Sequence, residues 1–271
     1  MADKHHDELI WLVSHLFEER DEDDQAAVLK QRDSENKLAD EQLWNLFRAL
    51  VNTRQPEPAS QEFLSAQDKL LRNLIAKAGV TAVGETRTTP IDARIRFWRG
   101  DITTLAADGI VNAANAQMLG CWVPGHYCID NAIHTYAGVQ LRITCNNLMQ
   151  AQGHAEPTGT AKVTDAFNLP SKYIVHTVGP IANGHPTRQH EQQLASCYKN
   201  CLDAARAHDM RSLAFCCIST GVFGFPQEAA AKIAIATVYT WLTDHPDTPI
   251  TVIFNVFSEA DEKIYEKLLG L

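Results

Sequence analysis

The sequence predicts an α/β sandwich with a largely parallel central sheet, preceded by a helical segment. Three observations predict it. Residues 1–90 carry apolar residues at helical spacing and no strand-like run. From Ile91 onward, short β-rich runs alternate with helical stretches. Two of those runs, Tyr173 to Val178 and Ser212 to Ile218, are almost continuously apolar, as strands buried on both faces should be.

Taken in order, the first helix follows from Leu9, Leu12, Val13, Leu16 and Phe17. The acidic cluster Glu18 to Asp24 separates it from the next and reads as a solvated turn. A second stripe runs through Leu38, Leu43, Leu46, Phe47, Leu50 and Val51, and a third through Phe63, Leu64, Leu70, Leu71, Leu74 and Ile75. Pro56 and Pro58 divide these two, and Gly79, Gly84 and Pro90 mark the connection onward. Strands are then expected at Ile95 to Trp98, Gly109 to Asn112, Tyr173 to Val178, Ser212 to Ile218 and Ile250 to Phe257. Helices fit between and after them, at Asp130 to Gln150, Arg188 to His208, Pro226 to Asp244 and Glu259 to Leu269. Proline suits the first helical position, so Pro226 marks a helix start. The boundary between the two parts falls at residue 90/91.

With 271 residues, 45% hydrophobic and 21% charged, the chain is long enough for a sizeable core. A net charge of −9 argues against nucleic acid as a partner. No apolar run reaches the roughly 18 residues of a membrane span, and the N-terminus lacks the basic-then-apolar order of a signal peptide. The seven cysteines are an odd number, all from Cys121 onward, so a reducing, cytoplasmic setting is expected.

Ligands of open α/β sheets bind beyond the carboxyl ends of the strands, and three suggestive loops fall there. In Gly100-Asp101-Ile102-Thr103, Asp101 taken alone suits a helix N-cap best, with an acceptor for an exocyclic amine such as that of adenine as the other role. Gly120 to Asp130 holds Cys121, His126 and Cys128, three zinc-ligand types that leave a fourth position open, as a catalytic site does. Buried thiols with an ordinary loop imidazole are the alternative, and spacing alone does not decide between them. The third loop, Ser219-Thr220-Gly221-Val222-Phe223-Gly224-Phe225-Pro226, follows a buried strand and opens a helix. Its glycines let backbone N–H groups approach phosphate oxygens at a helix N-terminus.

In this order, Gly100-Asp101-Ile102-Thr103, Ile110 to Asn115, Asp130 to His134 with Ala137-Gly138, Gly159 to Thr164, Lys172 to Pro180, and Ile218 to Pro226 resemble a macrodomain. The resemblance covers roughly residues 91–271. It implies a three-layer α/β/α sandwich with a mixed, largely parallel central sheet, plus an N-terminal helical extension over residues 1–90. It also implies ADP-ribose binding. The MacroD-like branch, which removes ADP-ribose from proteins, carries a glycine run where this chain has Cys121, His126 and Cys128. That departure is similar to the zinc-dependent macrodomains of microbes, which are often paired with an operon-linked sirtuin that ADP-ribosylates a lipoylated carrier protein.

The resemblance implies roles for single residues. Cys121, His126 and Cys128 would hold Zn2+. Asp101 would hold the adenine amine with the Ile102 backbone alongside, and Phe257 would stack on the adenine or else belong to the core. The N–H groups of Ser219, Thr220, Gly221, Val222, Phe223 and Gly224 would cradle the diphosphate, with Phe223 over the distal ribose. Asn115 would bond the distal ribose or a water beside it. Asp130 matches the acid near the scissile bond, a role compatible with that of helix N-cap. Trp122 and Tyr127 suit the pocket wall or simple packing. His134, His176, Cys145, Cys197, Cys201, Cys216 and Cys217 are expected to be structural, and His185 and His190 exposed. The expected activity is zinc-dependent hydrolysis of mono-ADP-ribose from acidic side chains. O-acetyl-ADP-ribose deacetylation and non-catalytic ADP-ribose binding are the rivals.

Overall fold

The computed structural model describes residues 3–20 and 39–271. From Asp21 on, the acidic cluster lies outside the described residues, as does Leu38. Among the described residues, the N-terminal part holds the helices α1 (Asp3–Glu18), α2 (Asp40–Thr53) and α3 (Gln61–Ala78). Their apolar stripes meet in a core of their own that includes Leu12, Leu43, Phe47, Phe63, Leu70 and Leu71. Ser60 caps α3 by accepting from Phe63 N at 3.1 Å. Arg54, beyond the end of α2, forms a bidentate pair with Glu19 at 2.6 and 2.9 Å, which ties α2 to the end of α1.

A two-residue strand, β1 (Thr81–Ala82), pairs parallel with β4 (Leu105–Ala106). The main sheet has seven strands in the order β2-β3-β9-β8-β5-β7-β6. These are β2 (Arg87–Thr88), β3 (Ile95–Arg99), β5 (Gly109–Ala114), β6 (Ala161–Asp165), β7 (Tyr173–Val178), β8 (Ser212–Phe215) and β9 (Thr251–Val256). The inner pairings are parallel, and only the edge strands β2 and β6 run antiparallel, so the sheet is mixed and largely parallel as expected. The 90/91 division falls between β2 and β3, which pair with each other.

Helices cover both faces. They are α4 (Ile129–Ala137), α5 (Val139–Gln152), α6 (Arg188–Ala207), α7 (Gln227–Asp244) and α8 (Glu259–Leu269). On β7, His176 faces α5, with its Nε2 3.9 Å from the Cys145 Sγ. The next residue, Thr177, faces Cys197 and Cys201 of α6. Alternation along the strand thus separates the α4/α5 layer from the α6 layer. The N-terminal helices lie against α4 and α5, and Val139 joins their core.

Four expectations need correction. The helix expected from Asp130 to Gln150 is two helices, split at Gly138 with φ +100°. Gln67 of α3 enters that break and accepts from Val139 N at 3.0 Å; a Cβ on Gly138 would stand 2.6 Å from the Gln67 Nε2. The strand expected through Ile218 ends at Phe215, so Cys216 and Cys217 lie beyond it, and Cys217 is half-buried. Edge strand β6 was not expected, because its polar sequence Ala-Lys-Val-Thr-Asp carries little strand signal. Finally, Pro226 occupies the N-cap position of α7 and lies outside its first turn.

Candidate active site

Strands β5 and β8 are hydrogen-bonded neighbours only at Gly109 and Ile110, and beyond these they part. A cavity of about 290 Å³ opens at their carboxyl ends. Ala113 of β5 and Cys216 and Cys217 after β8 form its floor, so these two cysteines are wall residues as well as packing. The loop 219–223 lines one side, and His126, Tyr127, Cys128, Ile129 and Asp130 line another.

The loop after β8 is shaped for an anion. Ser219 has φ +66°, and Phe225 N donates back to Ser219 O at 2.9 Å. The Ser219 side chain presses on Gly179, where a Cβ would sit 2.0 Å from its Oγ, so only glycine fits there. Gly224 N donates to Gly221 O at 2.9 Å, closing the turn, and Gly224 is not on the cavity wall. The N–H groups of Thr220, Gly221, Val222 and Phe223 donate to nothing within the described residues. Unspent, clustered N–H groups ahead of a helix attract phosphate oxygens.

Asp130 is 5% exposed and sits in the first turn of α4. The N-cap is Cys128, whose Sγ accepts from Asn131 N at 3.4 Å, so the capping role expected of Asp130 belongs to Cys128. Asn112 donates to Asp130 Oδ1 at 2.8 Å and its Nδ2 stands 3.1 Å from the His176 Nδ1. Burial pushes the Asp130 carboxyl up to about 6, against the Asn112 hydrogen bond and the Arg142 charge, which pull it down. Asn112, His176, Thr164 and Cys145 form a buried hydrogen-bonded group behind it. Burial drives the His176 pKa down to about 3 and the Cys145 thiol up to about 12, so this group is uncharged.

Asn115 is half-buried and is not on the cavity wall. Its Nδ2 donates to Gly120 O at 3.0 Å, with Asp130 Oδ2 at 3.5 Å, and its Oδ1 accepts from Gln117 N at 2.9 Å. It therefore anchors the start of the next loop. Gly120, at φ +80°, packs on the His134 ring, 2.9 Å from where a Cβ would be.

In that loop the ligand atoms of Cys121, His126 and Cys128 all lie within 4.8 Å of one another. The Cys121 Sγ stands 3.5 Å from the His126 Nδ1. Two sulfurs and an imidazole suit zinc. Burial pushes the Cys128 thiol up to about 12, so by itself it stays protonated; a divalent cation is what would make its thiolate favourable. The residues present therefore fit the ion.

Asp101 is exposed and caps the short turn Ile102–Thr104, accepting from Thr103 N at 2.9 Å and Thr103 Oγ1 at 2.7 Å with the same oxygen. Neither it nor the buried Ile102 touches the cavity wall. Asn255, which does, donates to Gly100 O at 2.9 Å and so fixes this turn beside the cavity. Phe257 is 77% exposed and lines the cavity, which removes the core alternative. Tyr127 is on the wall and 83% exposed, whereas Trp122 packs under Arg142, whose guanidinium lies 4.3 Å from its ring centre. His185 is exposed as expected, but His190 is half-buried and caps α6, its Nδ1 accepting from Thr187 N at 3.3 Å. Sequence reasoning passed over Asn112, Arg142, Asn255 and Asn52, because no local spacing marks a polar residue whose partner is remote.

A seven-stranded mixed sheet, covered by helices on both faces and carrying an anion loop and a buried acid at one cavity, defines a macrodomain. A family model for the macro domain matches residues 111–234. The chain belongs to the macrodomain family. It is 52% identical over 229 residues to a protein-ADP-ribose hydrolase of Treponema medium, covering 83% of this chain and 87% of that protein. A protein-ADP-ribose hydrolase of Staphylococcus aureus is 44% identical over 260 residues, 96% of this chain and 94% of its own. Among solved structures, the Trypanosoma brucei macrodomain in complex with ADP-ribose superposes with a TM-score of 0.63 at 29% identity, over 82% of this chain and 95% of that one. The Oceanobacillus iheyensis macrodomain with ADP gives a TM-score of 0.59 at 38% identity, over 65% and 90%. No helix among the described residues is long and apolar enough to cross a membrane.

Proposed function

We propose that this macrodomain hydrolyses the bond between mono-ADP-ribose and a modified protein, and that it requires zinc. Relatives of nearly its full length are named protein-ADP-ribose hydrolases, and a macrodomain of like fold binds ADP-ribose. The observation that carries the reading is that one cavity is walled by the anion loop, Asp130, and two of three clustered zinc-ligand side chains. A metal-ligand set with an open position beside a buried acid favours an enzyme over a module that only binds ADP-ribose.

The chain's own groups divide the work. The unspent N–H groups of Thr220 to Phe223 hold the diphosphate, with Ser219 beside them, while Gly224 N closes the turn onto Gly221 O. Asp101 accepts from the adenine amine with the oxygen not engaged by Thr103, with the Ile102 backbone alongside, and Phe257 offers its exposed ring to the adenine face. Phe223 closes over the distal ribose. Asn112 and Asn115 hold Asp130 from two sides, and Asp130 orients the water or the distal ribose. Cys121, His126 and Cys128 would hold zinc, which supplies positive charge to polarise an oxygen at the open position. The target is a protein modified on acidic side chains, with a lipoylated carrier protein modified by a sirtuin-type transferase as the specific case. The net charge of −9 speaks against nucleic acid as the partner.

Purified protein should release free ADP-ribose from a mono-ADP-ribosylated protein, and elemental analysis without added metal should give roughly one zinc per chain. Full activity in a chelated, metal-free preparation would remove zinc from the reading. Binding of ADP-ribose with no release would reduce the site to a reader. Asp101→Ala should weaken ADP-ribose by about 1–3 kcal/mol, the cost of leaving a polar partner unsatisfied, and leave ribose phosphate unaffected. Calorimetry on the two ligands checks this, and equal affinity for ADP-ribose would leave Asp101 with its turn alone.

A further inference from the structure

The loop Gly120–Cys128 has no regular secondary structure, and Val123, Pro124 and Tyr127 are exposed. Little inside it fixes the spacing of its three ligand side chains; one turn bond, His126 N to Val123 O at 3.1 Å, lies within it. Its remaining restraints come from outside, and several come from the N-terminal helices.

We propose that Asn52, near the end of α2, is a positioning residue for the metal ligands, so that the N-terminal extension is part of the site. For its consequence at the metal, this rests on the zinc reading above. Asn52 is 1% exposed, and both ends of its amide are used. Its Oδ1 accepts from Gly125 N at 3.0 Å, one residue before His126. Its Nδ2 donates to Thr135 Oγ1 at 3.3 Å. Thr135 donates to Asn131 Oδ1 at 3.3 Å, and Asn131 Nδ2 donates to Val123 O at 3.4 Å. The chain of bonds closes on the loop and spans Val123 to Gly125 at its apex. Asn131 N also meets the Cys128 Sγ, so the same ring touches a second ligand.

Arg142 locks Asn52 in place. Its Nη1 donates to Val51 O at 3.0 Å and Arg54 O at 2.7 Å, on either side of Asn52, while its Nε donates to Leu119 O at 2.6 Å at the foot of the loop. From α2, Arg48 lies 4.5 Å from the Tyr127 ring centre. The loop is thus gripped at both feet and at its apex, and Asn52 holds the apex. Gly125 turns there with φ +65°. Without its acceptor the Gly125 N–H has no partner among the described residues, and the turn that presents His126 is left to the His126 N to Val123 O bond and the Asn131 contact. Partners that orient a metal ligand matter to metal binding almost as the ligands do.

Asn52→Leu removes both hydrogen bonds at nearly constant volume, and Asn52→Asp keeps the acceptor for Gly125. Leu12→Ala, in the buried core of α1 and away from the loop, serves as a control for simple loss of stability. Zinc alone is titrated against a competing chelator, and amide exchange of residues 121–127 is followed in metal-free protein. Asn52→Leu should weaken zinc by about 10–100-fold and speed exchange at the loop apex, with ADP-ribose affinity retained. Asn52→Asp should fall between it and the parent. Leu12→Ala should melt earlier yet match the parent in zinc affinity and loop exchange. Parental zinc affinity and exchange in Asn52→Leu would overturn the proposal, and so would the same losses in Leu12→Ala. If Asn52→Leu does not fold, Asn52→Ser takes its place, since its side chain is too short to reach Gly125. A parent protein that binds no zinc would refute the metal reading by itself, while amide exchange still decides whether Asn52 holds the loop.

Discussion

Cys121→Ala and His126→Ala are each expected to lower hydrolysis of an ADP-ribosylated protein by at least about 100-fold, the scale of losing one preorganised electrostatic group at a reacting centre. ADP-ribose binding should largely survive. The argument is spatial. The contacts assigned to the diphosphate and adenine lie on other loops, at residues 219–223 and at Asp101 and Phe257. The loop after β8 is held by its own bonds, Phe225 N to Ser219 O and Gly224 N to Gly221 O, with Gly179 against Ser219, none of which passes through Cys121 or His126. Losing a ligand therefore removes the metal and leaves the anion cradle standing. Turnover on modified protein, with calorimetry of ADP-ribose on the same preparations, measures both quantities. If all affinity vanished with the ligand, zinc would be a clamp on the pocket and no part of the reaction.

Truncation to Ile91 is the second large effect. It should lower the melting temperature by roughly 6–12 °C, on about 3 kcal/mol lost at about 2–4 °C each for a domain of this size. The macrodomain part loses specific partners. Arg142 is buried, and burial draws its pKa down to about 10. Without Val51 and Arg54 it would forfeit two of its three carbonyl acceptors. Hydrogen bonds to a charged group contribute about 1.5–3 kcal/mol to stability. Val139 would lose the apolar cluster it packs into, Val139 N the Gln67 acceptor, and the sheet its edge strand β2. The extension would fare no better alone, since short amphipathic helices depend on tertiary packing. Thermal unfolding of residues 91–271 beside the full chain tests this, and equal melting points would make the extension an appendage. Turnover adds a further discrimination. If the extension also touches the modified protein, a folded truncation assayed at saturating zinc, where the loss of Asn52 no longer limits metal occupancy, should turn over protein substrate more slowly than Asn52→Leu under the same conditions while keeping its ADP-ribose affinity. Unaltered turnover would exclude that contact.

Which parts of this protein were legible in the chain follows from the range of the forces involved. The strands from Tyr173 and Ser212 announce themselves because burial on both faces demands unbroken apolar runs, and the helices over 188–207, 227–244 and 259–269 because a packed face demands helical spacing. The Gly221 to Gly224 turn and the Cys121, His126, Cys128 set are likewise local, since a turn and a ligand cluster need their residues close in sequence. Asp130 was found by motif, but its environment was not. Asn112 precedes it by 18 residues and Arg142 follows it by 12, and together with burial they set its ionisation. The break at Gly138 depends on Gln67 from another helix, and the apex of the Gly120–Cys128 loop on Asn52. The exposed placement of Phe257 and the wall position of Cys216 and Cys217 depend on where β5 and β8 part. Most helices, the apolar strands, the glycine turn and the closeness of Cys121, His126 and Cys128 can be read along the chain, because hydrophobic periodicity and turn chemistry act over a few residues. Which buried polar groups meet cannot, because a desolvated amide or guanidinium must find its partner wherever packing brings one, at any distance along the chain.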